Sequence, residues 1–277
     1  MKNLVLFNIF VLLLVSCKPS HNESNTWYVA SPDGNLQVEI TLDSSGAAVY
    51  SVFLNGEMVV QQSSLGIALS VESYSFLKDL DFAEASEKEV HDDYIAVSGK
   101  RKHCTYHAIE KTLTFRNTSG EFMEVIFQVS NHGVAFRYKL NNQMAAKVDS
   151  EISEFNLPKE SLAWIQQFKG FWNDYEMVYT KRLLDTMKLP AYYIPGLFQT
   201  PEKQWIFISD ASVNGDYAAC QLSHKGSGKL AIRLPDQTYD WEVGGHHPWF
   251  KIVYDEPVKI QAPASLLTPW RVMIISE

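Results

Sequence analysis

Alternation with a period of two residues most narrows the folds open to this chain. Leu36, Val38, Ile40 and Leu42 are separated by Gln37, Glu39 and Thr41, so an extended segment puts the apolar side chains on one face and the polar ones on the other. The pattern returns after a His132-Gly133 turn, where Val134, Phe136, Tyr138 and Leu140 alternate with Ala135, Arg137 and Lys139, and again in Leu230, Ile232 and Leu234. Ser31-Pro32-Asp33-Gly34 supplies a turn ahead of the first such segment. Asn55-Gly56, between Val52-Phe53-Leu54 and Met58-Val59-Val60, marks a two-residue hairpin whose central residues both need positive φ. The apolar runs Trp205-Ile206-Phe207-Ile208 and Val272-Met273-Ile274-Ile275 suggest strands covered on both faces, and runs this short also suit a buried helix.

Helical signals are sparse. Phe82 to Val90 and Lys181 to Met187 each have the length of two helical turns, and neither carries an apolar stripe. Many strands at short spacing without regular helical crossovers predict an all-β, mostly antiparallel sandwich with few short helices. A 46% hydrophobic, 13% aromatic composition is rich enough for one large core. The net charge of -8 and the lack of a basic run exclude an extended phosphate-binding surface, so no nucleic-acid partner is expected.

Residues 1–16 read as an export signal. Lys2 precedes the apolar run from Leu4 to Val15, which is too short to span a hydrocarbon layer of about 30 Å. Leu14-Val15-Ser16-Cys17 resembles a bacterial lipobox, which makes Cys17 the lipidated first residue of the mature chain. Residues 17–26 are polar and aperiodic, as a flexible tether would be, and the globular body is expected over 27–277. The expected location is membrane-anchored on the outer membrane, facing the periplasm or the surface. Cys104 and Cys220 are then left, and the sequence does not place them within bridging distance.

No His-Glu-x-x-His, Cys-x-x-Cys or Gly-x-Ser-x-Gly is present. Gly226-Ser227-Gly228-Lys229 lacks the upstream glycine and following hydroxyl of a phosphate loop and reads as a hairpin turn. His246 and His247 are adjacent, so on an extended chain they point apart and make a poor metal pair. Trp164, Trp172, Tyr175 and Trp249 belong to an aromatic-rich stretch that can pack a core or stack on sugar rings. Asp174 and Glu176 lie among those aromatics in a loop-rich segment from Phe168 to Pro201. Glycoside cleavage needs two carboxylates flanking the bond, and no second acid can be placed opposite Glu176 from the sequence.

Several short stretches, in order, resemble the N-terminal domain of glycoside hydrolase family 97. They are Ser31 to Leu36, Tyr50-Ser51-Val52 leading to Asn55-Gly56, Ser64-Leu65-Gly66-Ile67, Gly133 to Tyr138, Tyr175-Glu176 with Tyr179-Thr180, and Thr268-Pro269-Trp270-Arg271. The resemblance implies a β-supersandwich of the galactose-mutarotase-like kind, which in full-length members precedes a (β/α)8 catalytic barrel. It implies α-glucosidase or α-galactosidase chemistry seated on that barrel. It also makes Glu176 a calcium ligand lent to the barrel's site; Trp172 and Tyr175, beside it in the aromatic-rich stretch, are the candidate substrate-binding residues. Gln128, His132 and Asp210 depart from the residues usual in the family.

These readings give a lipid-anchored, carbohydrate-associated module that binds oligosaccharide or polysaccharide and has no catalytic residue of its own. The alternative is a subunit of a calcium-dependent α-glycosidase whose barrel is a separate chain. Calcium needs six to eight oxygen ligands, so no cofactor is expected on this chain in isolation. A face that packs against a barrel should be partly apolar.

Overall fold

In the computed structural model the residues described are 25–141, 146–168, 177–188, 191–244, 249–261 and 263–277, with backbone alone over 238–244 and 249–256. Their strands pair only in antiparallel fashion and build two large facing sheets. The seven-stranded sheet runs, in spatial order, Thr26–Ala30, Leu36–Leu42, Ala48–Leu54, Glu57–Ser64, Glu154–Asn156, Lys229–Arg233 and Gln221–His224. The ten-stranded sheet runs Thr180–Leu183, Leu162–Ile165, Gly196–Gln199, Trp205–Ala211, Trp270–Ser276, Gly133–Asn141, Phe122–Ser130, His103–Arg116 and Asp81–Ile95, with Ser265–Leu267 also paired to Gly133–Asn141. A three-stranded sheet (Ile260–Gln261, Lys147–Glu151, Ile67–Leu69) and the hairpin Asp236–Gly244/Trp249–Pro257 complete the set. This is the all-β antiparallel sandwich expected from the alternating segments, in the supersandwich form that the family resemblance implies.

The alternation explains the layering. Val38, Ile40, Tyr50 and Val52 face inward from one sheet, and Val125, Phe127, Val134, Phe136 and Tyr138 from the other; none is more than 1% exposed. The sheets meet through rings: Tyr50 lies 5.7 Å from Phe127 and 5.3 Å from Phe136, and Phe136 lies 6.0 Å from Phe155. Aromatic contacts of this kind add roughly 0.5–1.5 kcal/mol each beyond the area they bury. Asn55 and Gly56 take φ of 53° and 83° between Leu54 and its ladder partner Glu57, the two-residue turn their identities demand. Gly226 and Gly228 also take positive φ, between Gln221–His224 and Lys229–Arg233, so this segment is a hairpin turn.

Two expectations are corrected. Phe82 to Val90 is not helical but lies inside Asp81–Ile95, the outermost strand of the larger sheet. Its charged side chains blunt an exposed edge, and a ladder running from Asp81↔Arg116 to Ile95↔His103 outweighs a weak helix preference. Lys181 to Met187 is likewise strand followed by one 3-10 turn, Leu184–Thr186; with Glu72–Tyr74 these are the only helical turns among the described residues. The runs at 205–208 and 272–275 are strands covered on one face only. Ile206, Ile208, Met273 and Ile275 are buried, whereas Trp205, Phe207 and Val272 are half-buried and Ile274 is 50% exposed.

The strands Asp81–Ile95 and His103–Arg116 extend beyond their sheet. Phe122–Ser130 pairs with the second of them only from Ala108 to Arg116, while the first stays paired out to His103. The last rungs therefore form a two-stranded arm. Cys104 lies on it and Cys220 is buried in the body, and both are free thiols.

Candidate functional site

The outward face of the larger sheet carries an apolar row. Register places Lys181, Trp164, Leu197, Phe207 and Ile274 side by side across five consecutive strands. Their chain neighbours Ala163, Ile165, Phe198, Ile206, Ile208, Met273 and Ile275 fill the core, so period-2 geometry turns this row away from it. At one end Trp164, Tyr179, Pro195, Leu197, Trp205 and Phe207 line an open trough of about 500 Å³. Trp164 and Trp205 lie 5.2 Å apart at 37°, and the Lys181 ammonium sits 5.3 Å from the Trp164 ring. Flat, half-buried rings beside a few polar groups are what the apolar face of a sugar ring packs against.

Tyr179 and Pro195 of the trough belong to the Phe168 to Pro201 segment singled out from sequence. Trp172, Asp174, Tyr175 and Glu176 fall outside the described residues, as do Cys17, His246 and His247; of Trp249 the backbone alone is described. Both flanks of 169–176 are defined. Leu162–Ile165 and Thr180–Leu183 pair in register from Leu162↔Leu183 to Ile165↔Thr180, so 166–179 is the connection of an antiparallel pair. Gln166 Nε2 donates to Met177 O at 3.0 Å, Tyr193 N donates to Gln166 O at 2.9 Å, and Phe168 packs edge-on against Tyr193. Tyr179, three residues after Glu176 in the chain, lines the trough.

Behind this face sits a buried ionic network that sequence reading missed. Arg271 is wholly buried on the inward side of Trp270–Ser276. Its Nε donates to Glu151 Oε1 at 2.8 Å and its Nη2 to Glu151 Oε2 at 2.5 Å, while Nη1 donates to Cys220 Sγ at 3.2 Å. Glu151 also accepts from Ser153 Oγ at 2.7 Å and Tyr217 Oη at 2.9 Å. Tyr138 Oη lies 2.7 Å from Ser153 Oγ and accepts from Gly66 N at 3.1 Å. Burial pushes the Glu151 carboxyl up, but the Arg271 charge and these hydrogen bonds outweigh it and hold the group below the ordinary carboxylate range. Burial raises the Tyr138 and Tyr217 phenols and the Cys220 thiol, so all three stay protonated at neutral pH. A carboxylate enclosed and committed in this way ties the three-stranded sheet to the ten-stranded one and is not free for acid–base work.

Three other acids that line concavities are paired with lysines. Glu110 is 3.0 Å from Lys88, Glu124 is 2.7 Å from Lys139, and Asp149 is 3.7 Å from Lys259. The trough itself is lined by rings, a proline and a leucine, so its described part offers calcium no carboxylate.

Residues 29–277 match the family model for the glycosyl-hydrolase 97 N-terminal domain. The chain belongs to this family. A probable retaining α-galactosidase of Streptomyces bingchenggensis is 26% identical over 99% of this chain and 39% of its own length. The retaining α-galactosidase of Bacteroides thetaiotaomicron is 22% identical over 96% of this chain and 41% of its own. A family 97 enzyme of Pseudoalteromonas sp. strain K8, solved as a variant in complex with panose, superimposes with a TM-score of 0.74 at 26% identity, over 91% of this chain and 36% of that one. The chain thus spans about two fifths of the length of the curated relatives it matches, and the matching part is their N-terminal domain.

Five of the six stretches that carry the family resemblance meet in space. Gly133–Asn141 and Trp270–Ser276 are ladder neighbours, with Arg271 opposite Phe136. Arg137 stacks 4.0 Å over the Trp270 ring outside, while Tyr138 reaches the Glu151 network inside. Gly66 donates to Tyr138, Tyr50 touches Phe136, and Asp33 N donates to Asn131 Oδ1 at 3.1 Å beside the His132-Gly133 turn. The family signature in this chain is largely the set of groups that locks its two sheets together.

Proposed function

We propose that this sandwich serves α-glycoside hydrolysis as a carbohydrate-associated module that does not cleave bonds by itself. The observation that carries the reading is the Trp164–Trp205 trough with Tyr179, three residues after Glu176 in the chain, on its rim. The trough takes the apolar face of an α-linked hexose. Glu176 is offered to a calcium-dependent centre whose remaining ligands and catalytic acids lie on a family 97 (β/α)8 barrel. Calcium there would polarise the substrate and fix its orientation; this chain's part is to place one carboxylate and the flanking aromatics. The module is held at the outer membrane by a lipid on Cys17, with residues 17–26 as tether.

The test is calorimetric titration of the mature chain with panose, maltooligosaccharides and α-galactosides, run beside hydrolysis of aryl α-glucoside and α-galactoside in the presence of calcium. Binding without turnover, reduced at least tenfold in Trp164→Ala and Trp205→Ala, is the expected outcome. Turnover by the chain alone, abolished by replacing one of its own acids, overturns the reading. Micromolar calcium affinity lost in Glu176→Gln would contradict the assignment of a shared calcium site.

A second reading rests on the apolar row from Trp164 to Ile274, which suits a docked protein face as well as a sugar. In it a family 97 barrel on a separate chain covers the row and activity appears only in the mixture. Mixing this chain with such a barrel, and measuring both complex size and calcium-dependent α-glycosidase activity, separates it from the first.

A further inference from the structure

The arm formed by Asp81–Ile95 and His103–Arg116 carries a cluster that neither the family match nor the trough uses. His91 and His107 are direct ladder partners, and their rings stack with centroids 4.1 Å apart and planes at 19°. Glu89, two residues before His91, lies on the same face of its strand. Glu89 Oε2 is 2.9 Å from His91 Nε2 and 3.6 Å from His107 Nε2, and one ligand atom from each residue lies within 4.8 Å of the other two. All three side chains are exposed, at 62%, 42% and 65% for His91, His107 and Glu89. An ion can therefore reach them from solvent without opening the fold. His107 also lines a concavity of about 400 Å³ with Thr105, Tyr106, Asn131 and His132 at the base of the arm.

We infer that Glu89, His91 and His107 form a surface site for a divalent transition-metal ion, zinc being the best fit. Two imidazole nitrogens and one carboxylate oxygen are the donor set of a borderline metal, about 2.0–2.2 Å from each ligand, with the fourth tetrahedral position left to water. The hard cation calcium would want more oxygens than this cluster has. The ladder already fixes all three Cα positions, so binding has to order only side-chain rotamers, which favours affinity. The register is what makes the site: a slip of one residue would send His91 to the opposite face from His107.

The experiment uses the full mature chain purified without a histidine tag and stripped with chelator. Zinc is titrated by calorimetry, and the ring signals of His91 and His107 are followed by NMR in the same titration. One equivalent of zinc at micromolar affinity is expected, with the two histidines shifting together. His91→Ala, His107→Ala and Glu89→Gln should each weaken binding at least tenfold, whereas a His246→Ala/His247→Ala double variant keeps it and calcium does not compete. Circular dichroism checks that the variants fold, and the NMR readout on the unaltered chain does not depend on them. Affinity no better than millimolar, or one-equivalent binding that survives His91→Ala/His107→Ala, overturns the proposal.

Discussion

The two faces of one strand, Trp270–Ser276, are built in opposite ways. Inward, Arg271, Met273 and Ile275 are closed off, and the one charge among them has its partners in Glu151 and Cys220. Outward, Trp270 is covered by an arginine, Val272 is half-buried, and Ile274 stands half in water within an apolar row. The inner face repays burial with complete pairing, and that specifies one arrangement of the sheets. The outer face keeps apolar surface uncovered, and it is there that the proposed sugar or barrel contact would form.

The largest expected effect tests the inner face. Arg271→Met leaves Glu151 buried without its cation and should cost about 3–5 kcal/mol, as removal of one member of a buried pair does. Urea unfolding measures it, and adding Glu151→Gln should recover part of the loss. The same pair sets an acid limb. Because the Glu151 carboxyl is held below its ordinary range when folded, its contribution is present above that range and is lost as pH falls through the folded value. Thermal unfolding from neutral pH downward should therefore steepen in the native chain, and Glu151→Gln should flatten that dependence. Trp270→Ala, outside, removes the Arg137 stack and should cost about 1–2 kcal/mol. The smallest effect belongs to Ile274→Ser, within about 0.5 kcal/mol of the native chain. A drop of several kcal/mol there would mean that the two faces are not separable.

Much of the framework was legible because alternation is local. Leu36–Leu42 and Gly133–Asn141 form where the pattern marks them, and Asn55-Gly56 turns with the φ values those residues favour. What escaped depends on partners far along the chain. Phe82 to Val90 looks helical until Lys111, Ile109 and Ala108 stand opposite it, and its charges make sense only on an edge. Arg271 was visible as part of a motif, yet Glu151 lies 120 residues away and nothing local marks it as the mate. The runs at 205–208 and 272–275 looked two-sided because hydrophobicity does not reveal whether something covers the second face. The histidines drew notice where adjacent, at 246–247, whereas Glu89, His91 and His107 become neighbours only once the register of the arm is known.

One topological fact bears on how the protein reaches this state. Trp270–Ser276 follows every other described strand in the chain, yet it sits between Trp205–Ala211 and Gly133–Asn141, near the middle of the wide sheet. Without that strand the wide sheet would be two partial sheets with open edges able to pair with other copies. Assembly should thus be slow and prone to clumping before the strand is in place, and a folding helper that shields bare edges would raise its yield.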